Sequence, residues 1–247
     1  MSVVVGGLNI YGYDIGVIML ESRFPRLVGD IGNAKTFSFP VKYEIVKGYK
    51  PHNVVLELSL DDVKPFVKAA QQLEEHGVKA ITTSCGFLAL FQEEIAKCIS
   101  IPFFSSALIL LPFVSKMIGD RKVLVVTANS DSLTKDHLVA VCGVLNDDCK
   151  YDIVGTQKLN TFTNFTVQNW NAVDAQECEN DLLNVINDAF IKNDYGAILL
   201  ECTNMPPFSD VIRKQFNVPV FDIVSLMNFI YATLNPNSYS KQGIYFL

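Results

Sequence analysis

Short apolar runs alternate along this chain with longer stretches in which apolar residues recur every three to four positions. Tyr13–Leu20, Ala80–Thr83, Lys122–Thr127, Gly196–Leu200 and Val218–Ile223 are runs of the first kind, bounded by Gly, Asp, Asn or Pro. Such runs mark strands buried on both faces of a parallel sheet. Asp61–His76 is of the second kind: Val63, Phe66, Val67, Ala70 and Leu73 share one helical face, charges occupy the other, and Gly77 ends the pattern. Leu182–Ile191 has the same period, and Ile223–Leu234 reads as a helix that packs back on the first half of the chain. Strands alternating with helices of this length predict an α/β fold with parallel sheets. Leu159–Asp174 is polar, rich in Asn and Thr, holds the single Trp170 and has no clean period. It is a candidate lid or a plain surface loop.

The pattern repeats. Setting Ala80–Ser105 over Ala197–Asp222 without a gap gives eight identities at a constant offset of 117 residues, among them Cys85/Cys202, Phe91/Phe208, Pro102/Pro219 and Phe104/Phe221. Ordinary composition gives about one or two by chance. Upstream, Ile15–Leu20 and Val123–Ala128 are comparable strand openings, followed by the polar turns Glu21-Ser22-Arg23 and Asn129-Ser130-Asp131. The expected organisation is therefore two pseudo-symmetric parallel-sheet α/β halves, residues 1–117 with 223–247 and residues 118–222. Between them lies a cleft at the strand carboxyl ends, where open parallel sheets bind ligands.

Composition narrows the function classes. Of 247 residues 49% are hydrophobic and only 19% charged, which excludes global disorder. Twenty Lys and Arg against 26 Asp and Glu, a net charge of −6, leave no basic footprint for a nucleic acid. The most apolar window, Ser100–Val114, carries Pro102 and Pro112 and is shorter than the roughly 20 residues that cross a bilayer, so no membrane partner is expected. The first residues hold no Lys or Arg ahead of their apolar run, which predicts a cytoplasmic protein without a secretory signal. The apolar surplus predicts a homodimer. Six cysteines without a CxxC pair or a Cys/His cluster at zinc spacing predict neither a disulfide framework nor a metal site.

The chemistry then rests on two of those cysteines. Cys85 and Cys202 each sit where a buried strand gives way to a helix, among free backbone N–H groups and the positive end of the helix dipole. That location predicts thiols of lowered pKa. Two such thiols facing across a cleft suit proton transfer at carbon: one thiolate removes a proton and the other thiol delivers one to the opposite face. Cys98, Cys142, Cys149 and Cys178 have no comparable setting, and His52, His76 and His137 have no recognisable acid partner.

These segments resemble the cysteine motifs of the aspartate/glutamate racemase superfamily, which includes aspartate, glutamate and hydantoin racemases, arylmalonate decarboxylase and maleate isomerase. Cys202-Thr203-x-x-Pro206 is similar to the family's Cys-Thr-His-x-Pro, with Asn204 in place of His. Thr83-Ser84-Cys85-Gly86-Phe87 resembles its Cys-Asn-Thr segment, with Gly86 and Phe87 in place of the Asn and Thr that help hold a substrate carboxylate. Gly16–Arg26 is similar to a subgroup described only as racemase-like. The resemblance implies catalytic Cys85 and Cys202 and no cofactor. It further implies a small carboxylate or amino-acid substrate held by Thr83, Ser84, Thr203 and the backbone around Gly86 and Phe87, with Asn204 beside the second thiol. By location alone the two turns add Ser22, Arg23 or Arg26, and Asn129, an arginine there offering a bidentate clamp. The expected activity is amino-acid racemisation or epimerisation. A maleate-isomerase-like cis–trans isomerase with a cysteine nucleophile and a non-catalytic ligand-binding protein remain open, the latter because of Gly86 and Asn204.

Overall fold

The computed structural model describes residues 6–236; residues 1–5 and the stretch 237–247, assigned above to the first half, lie outside the described residues. In the first sheet, β1 (Ile15–Leu20) is central, β2 (Val41–Val46) pairs with it on one side and β3 (Ala80–Thr83) on the other, and β4 (Phe103–Phe104) closes the order β2-β1-β3-β4. The second sheet repeats it as β6-β5-β7-β8, with β5 (Lys122–Thr127), β6 (Tyr151–Gly155), β7 (Tyr195–Leu200) and β8 (Val220–Phe221). All the pairings are parallel. The two sheets with their flanking helices are the α/β architecture expected, and each cysteine follows the third strand of its sheet.

The long helices follow from their apolar faces and caps. α1 (Pro51–Leu56) is followed by α2 (Val63–Glu75), which buries Phe66, Ala69, Ala70 and Leu73. Gly16 lets α2 approach β1: a Cβ there would stand 3.0 Å from a Leu73 methyl. α3 (Gln92–Ala96) and α4 (Leu111–Met117) complete the first half. α5 (Lys135–Cys142), α6 (Asn160–Thr166), α7 (Ala175–Phe190) and α8 (Ser209–Phe216) belong to the second. Asp174 caps α7 by accepting from the Gln176 and Glu177 backbones, and Asn217, in the left-handed region at φ 52°, ends α8. α9 (Ile223–Leu234) returns to the first half, where Tyr231 stacks on Phe39 at 3.8 Å and Asn235 donates to Asp14.

Several elements depart from the periodicity. β2 and β6 are edge strands whose half-exposed faces carry Lys42, Glu44 and Asp152, so their alternation is diluted by charge. α7 starts seven residues earlier than the pattern suggests, because its acidic first turns bury only Cys178. The Asn/Thr-rich stretch is not a plain loop: it forms α6, anchored by buried Phe162 and Phe165. Among the described residues no helix is long and apolar enough to cross a membrane.

Candidate active site

The carboxyl ends of the two sheets meet, and polar contacts join them across the seam. The Thr203 hydroxyl donates to the Ser84 carbonyl at 2.6 Å, and the Asn204 amide donates to Asp30 Oδ2 at 2.6 Å. Gly29, at φ +104°, lies against Pro207, where a Cβ would stand 2.7 Å from the proline Cα. Phe24 packs edge-on against Phe165 of α6, and the Arg23 backbone donates to Asn169 Oδ1 at 2.7 Å.

Both thiols line one small cavity at this seam, together with Ser84, Gly86 and Phe87 from the first half and Glu201, Thr203 and Asn204 from the second. Its free volume is only about 20 Å³, room for roughly one water. Pro51 and Val55 of α1 and Thr166 and Val167 at the end of α6 wall it in.

Arg26, not Arg23, is the cation of the cavity. Its guanidinium donates to Asp30 at 2.8 Å and to the Ser22 hydroxyl at 2.9 Å, and it lies 4.4 Å from the Phe24 ring centre. Gly32 lets the loop wrap around it, since a Cβ would meet Nε at 2.7 Å. Two hydrogen bonds leave further N–H donors of the fork for a ligand. Ser22 supports this arginine at the cavity's edge. Arg23 is exposed and Asn129 caps its own turn by accepting from Asp131 and Ser132, so neither of these expected residues reaches the cavity.

The hydroxyl candidates brace the backbone instead of standing free. Thr83 directs its single O–H to the Ser105 carbonyl at 2.7 Å, with the Cys85 carbonyl an alternative acceptor at 2.9 Å, Ser84 accepts from the Leu20 backbone N–H, and Thr203 reaches Ser84 as described. Asn204 is held by two contacts: its NH2 faces Asp30, which turns its Oδ1 toward the Cys202 thiol, the acceptor for S–H at 3.6 Å. An amide in this place cannot take the proton as an imidazole would.

The expectation of lowered thiol pKa values is overturned by burial. The Cys85 thiol is pushed up to about 12, first by burial and then by the negative charge of Glu201, against a downward pull from the Phe87 and Leu88 N–H groups and Arg26. Cys202 is likewise held well above the usual thiol value, first by burial and then by Glu201, with smaller contributions from Cys85 and Asp30, against a downward pull from the Asn204 backbone N–H. A helix terminus contributes about 0.3–1 kcal/mol, less than one pKa unit, whereas burial shifts groups by several units. Glu201 thus opposes ionisation of both thiols, and backbone N–H donation favours it at each. What differs is that Arg26 acts on Cys85, whereas Asp30 acts on Cys202 and the Asn204 side chain accepts its proton.

Glu201 escaped the sequence reading. It is fully buried at the end of β7, its Oε2 accepts from the Thr127 hydroxyl at 2.6 Å, and its Oε1 has no partner. Burial lifts its pKa to about 7 against the opposing Thr127 hydrogen bond. An acid closing the wholly apolar run Ala197–Leu200 was the available signal; Asp30, in an irregular loop, gave none. His137 is buried beside Thr134 at the start of α5 and does not line the cavity, nor do His52 and His76. Among the described residues no three His, Cys, Asp or Glu side chains are grouped to hold a metal ion.

The family model "Asp/Glu/Hydantoin racemase" matches residues 56–227. The chain is 34% identical over 232 residues to dimethylsulfoniopropionate lyase 3 of Emiliania huxleyi, covering 90% of this chain and 60% of that protein. It is 33% identical over 227 residues to a dimethylsulfoniopropionate lyase of Durusdinium, covering 90% and 75%. The chain therefore spans less than two thirds of the Emiliania relative. Among solved structures, an allantoin racemase from Klebsiella pneumoniae superposes with a TM-score of 0.60 at 17% identity, over 93% of this chain and 91% of that one. At that identity the likeness is one of fold.

Proposed function

The chain belongs to the Asp/Glu/hydantoin racemase family, and from that premise we propose that it removes a proton from the carbon next to a small substrate's carboxylate, with Cys85 as the base. The observation that carries this reading is the pair of thiols brought from two sheets into one small cavity, with Arg26 lining it beside them. For the substrate we take a β-sulfonio carboxylate, dimethylsulfoniopropionate, on the strength of the lyases at 33–34% identity. Arg26 receives the carboxylate, presenting a fixed fork that matches it.

Such a substrate also answers the difficulty of the raised thiol. A positive charge about 4 Å from Cys85 at an effective dielectric of about 20 is worth roughly 4 kcal/mol, or about three pKa units. That favours the thiolate once substrate is bound. The Cys85 thiolate takes the α-proton, the C–H electron pair becomes the new Cα–Cβ π bond, and the Cβ–S bond breaks. Sulfur leaves with the bonding pair as neutral dimethyl sulfide, acrylate remains, and the proton on Cys85 passes to solvent. The leaving group needs no proton, so this route asks nothing of Cys202 as an acid.

Racemisation is the second reading, and the contact that favours it is the Cys202 thiol held by Asn204. With no β leaving group, the carbanion formed at Cys85 would collect a proton from Cys202 on the opposite face and emerge inverted. The two readings separate in one experiment. Purified protein is incubated in deuterated buffer with dimethylsulfoniopropionate or with aspartate, glutamate and hydantoins, followed by headspace gas chromatography and chiral chromatography. Dimethyl sulfide release is expected, lost by about 10²–10⁴-fold in Cys85→Ser and largely kept in Cys202→Ser. Inversion and α-deuteration of an amino acid, with no dimethyl sulfide, would establish the racemase instead.

A further inference from the structure

We propose that Glu201 is the residue that selects a positively charged substrate, its free carboxylate oxygen receiving the cationic end while Arg26 holds the carboxylate end. The proposal deepens the lyase reading and rests on it for the identity of the cation, a sulfonium.

The first observation is geometric. Oε1 of Glu201 is a buried carboxyl oxygen without a hydrogen-bond partner, in a side chain that lines the same cavity as both thiols. Buried polar groups are ordinarily satisfied, and an unsatisfied one calls for a ligand or another explanation. The second is steric. Gly86, next to Cys85, is the position that makes room for this carboxyl: a Cβ there would lie well inside contact distance of Oε1. The polar group beside Cys85 is therefore supplied from the second half of the molecule, and it is an acceptor instead of a donor.

The third observation is the charge balance. Arg26 and Asp30 form a direct ion pair at 2.8 Å and offset one another. Asn204 and Ser22, which touch this pair, are neutral. Glu201 and the two thiols are then the groups in the cavity whose ionisation is not compensated by the chain. An ionised Glu201 and a Cys85 thiolate would repel each other across this cavity, and Glu201 holds the Cys85 thiol up. A cation seated between them removes the conflict and allows both to ionise. A neutral substrate of the same shape leaves one of them protonated, so discrimination acts on binding and again on formation of the base.

The test compares two non-reacting ligands of nearly equal shape by isothermal titration calorimetry: N,N-dimethyl-β-alanine, which is cationic at the position of sulfur, and isocaproate, which has a neutral carbon there. The wild-type protein should bind the cationic ligand about 10- to 100-fold more tightly, the range of a charge-assisted contact. Glu201→Gln, which keeps the size and the acceptor for Thr127, should remove that preference by weakening the cationic ligand while isocaproate binds as before. A merely structural carboxyl would weaken both ligands together. An unchanged ratio in Glu201→Gln overturns the proposal. Should that variant fail to fold, Thr127→Val removes the one donor to the carboxylate and should lower the ratio several-fold; an unchanged ratio there also overturns it. Neither ligand turns over, so the ratio is independent of the lyase reading. A protein that prefers the cation yet releases no dimethyl sulfide supports Glu201's role and refutes the lyase, whereas release of dimethyl sulfide with no cation preference does the reverse.

Discussion

At the scale of single residues, Gly86 and Glu201 form a unit that neither reveals alone. In the sequence Gly86 is a departure from a motif and Glu201 an acid among aliphatics; in the fold, the absence of one side chain is the space of the other. Gly86→Ala should therefore destabilise by about 1–3 kcal/mol, the usual range for forcing extra volume into a packed interior. In the Glu201→Ala background the same change should cost less, because the carboxyl is gone and only the Glu201 backbone carbonyl, 2.6 Å from the Cβ position, still crowds it. Chemical denaturation of the four proteins of this cycle measures the coupling, and additive effects would show that the two positions are not in contact. The two cysteines were legible because they recur with a strand, a helix and a Pro at a fixed offset. Glu201 was not: its partner in the repeat is Ser84, and its role depends on Thr127 and Gly86, which are distant in sequence.

Among the elements, α5 carries a testable pH dependence. His137 and Thr134 exchange hydrogen bonds at its start, with the imidazole buried and its pKa lowered to about 4 by that burial, against a smaller opposite effect from Asp136. Unfolded, the imidazole binds a proton below its ordinary value of about 6.5; folded, it resists protonation down to about 4. The unfolded state thus binds more protons in this window, and stability falls as pH drops from about 6.5 to about 4. His137→Gln should flatten the midpoint of thermal unfolding against pH in that window, and an unaltered slope would exclude the imidazole as its source. The same buried–exposed balance explains which elements were legible. β1, β3, β5 and β7 are buried throughout and read as apolar runs, apart from the single polar-edged Lys122. β2 and β6 present one face to solvent and read as mixed sequence. α6 is too short and too rich in Thr and Asn to show a period, and is fixed by tertiary packing of Phe162 and Phe165.

For the whole molecule, the decisive fact is that the cavity between the halves is almost full. About 20 Å³ of free space admits a water and not a ligand the size of the proposed substrate, which on that reading enters only when the walls part. The walls are unequal in their attachments. α1 is tied to its own half, while α6 and its following turn belong to the second half and touch the first through Phe165 on Phe24 and Asn169 on the Arg23 backbone. Asn169 sits at φ 60°, in the left-handed region that asparagine adopts more readily than other non-glycine residues. This segment contributes Thr166 and Val167 to the cavity wall and is joined to the first half by those side-chain contacts, which makes it the part expected to lift, and closing it afterwards would exclude water from the thiols. Joining it to the first half by a disulfide between Arg23→Cys and Asn169→Cys should then abolish turnover in oxidising buffer and return it on reduction, with each single variant active in both. A locked protein that still turns over would place the entrance elsewhere. The lock also bears on Cys85: while water is shut out and no cation is present the thiol stays neutral, so alkylation by iodoacetamide should be slow in the oxidised double variant and rise when the disulfide is reduced.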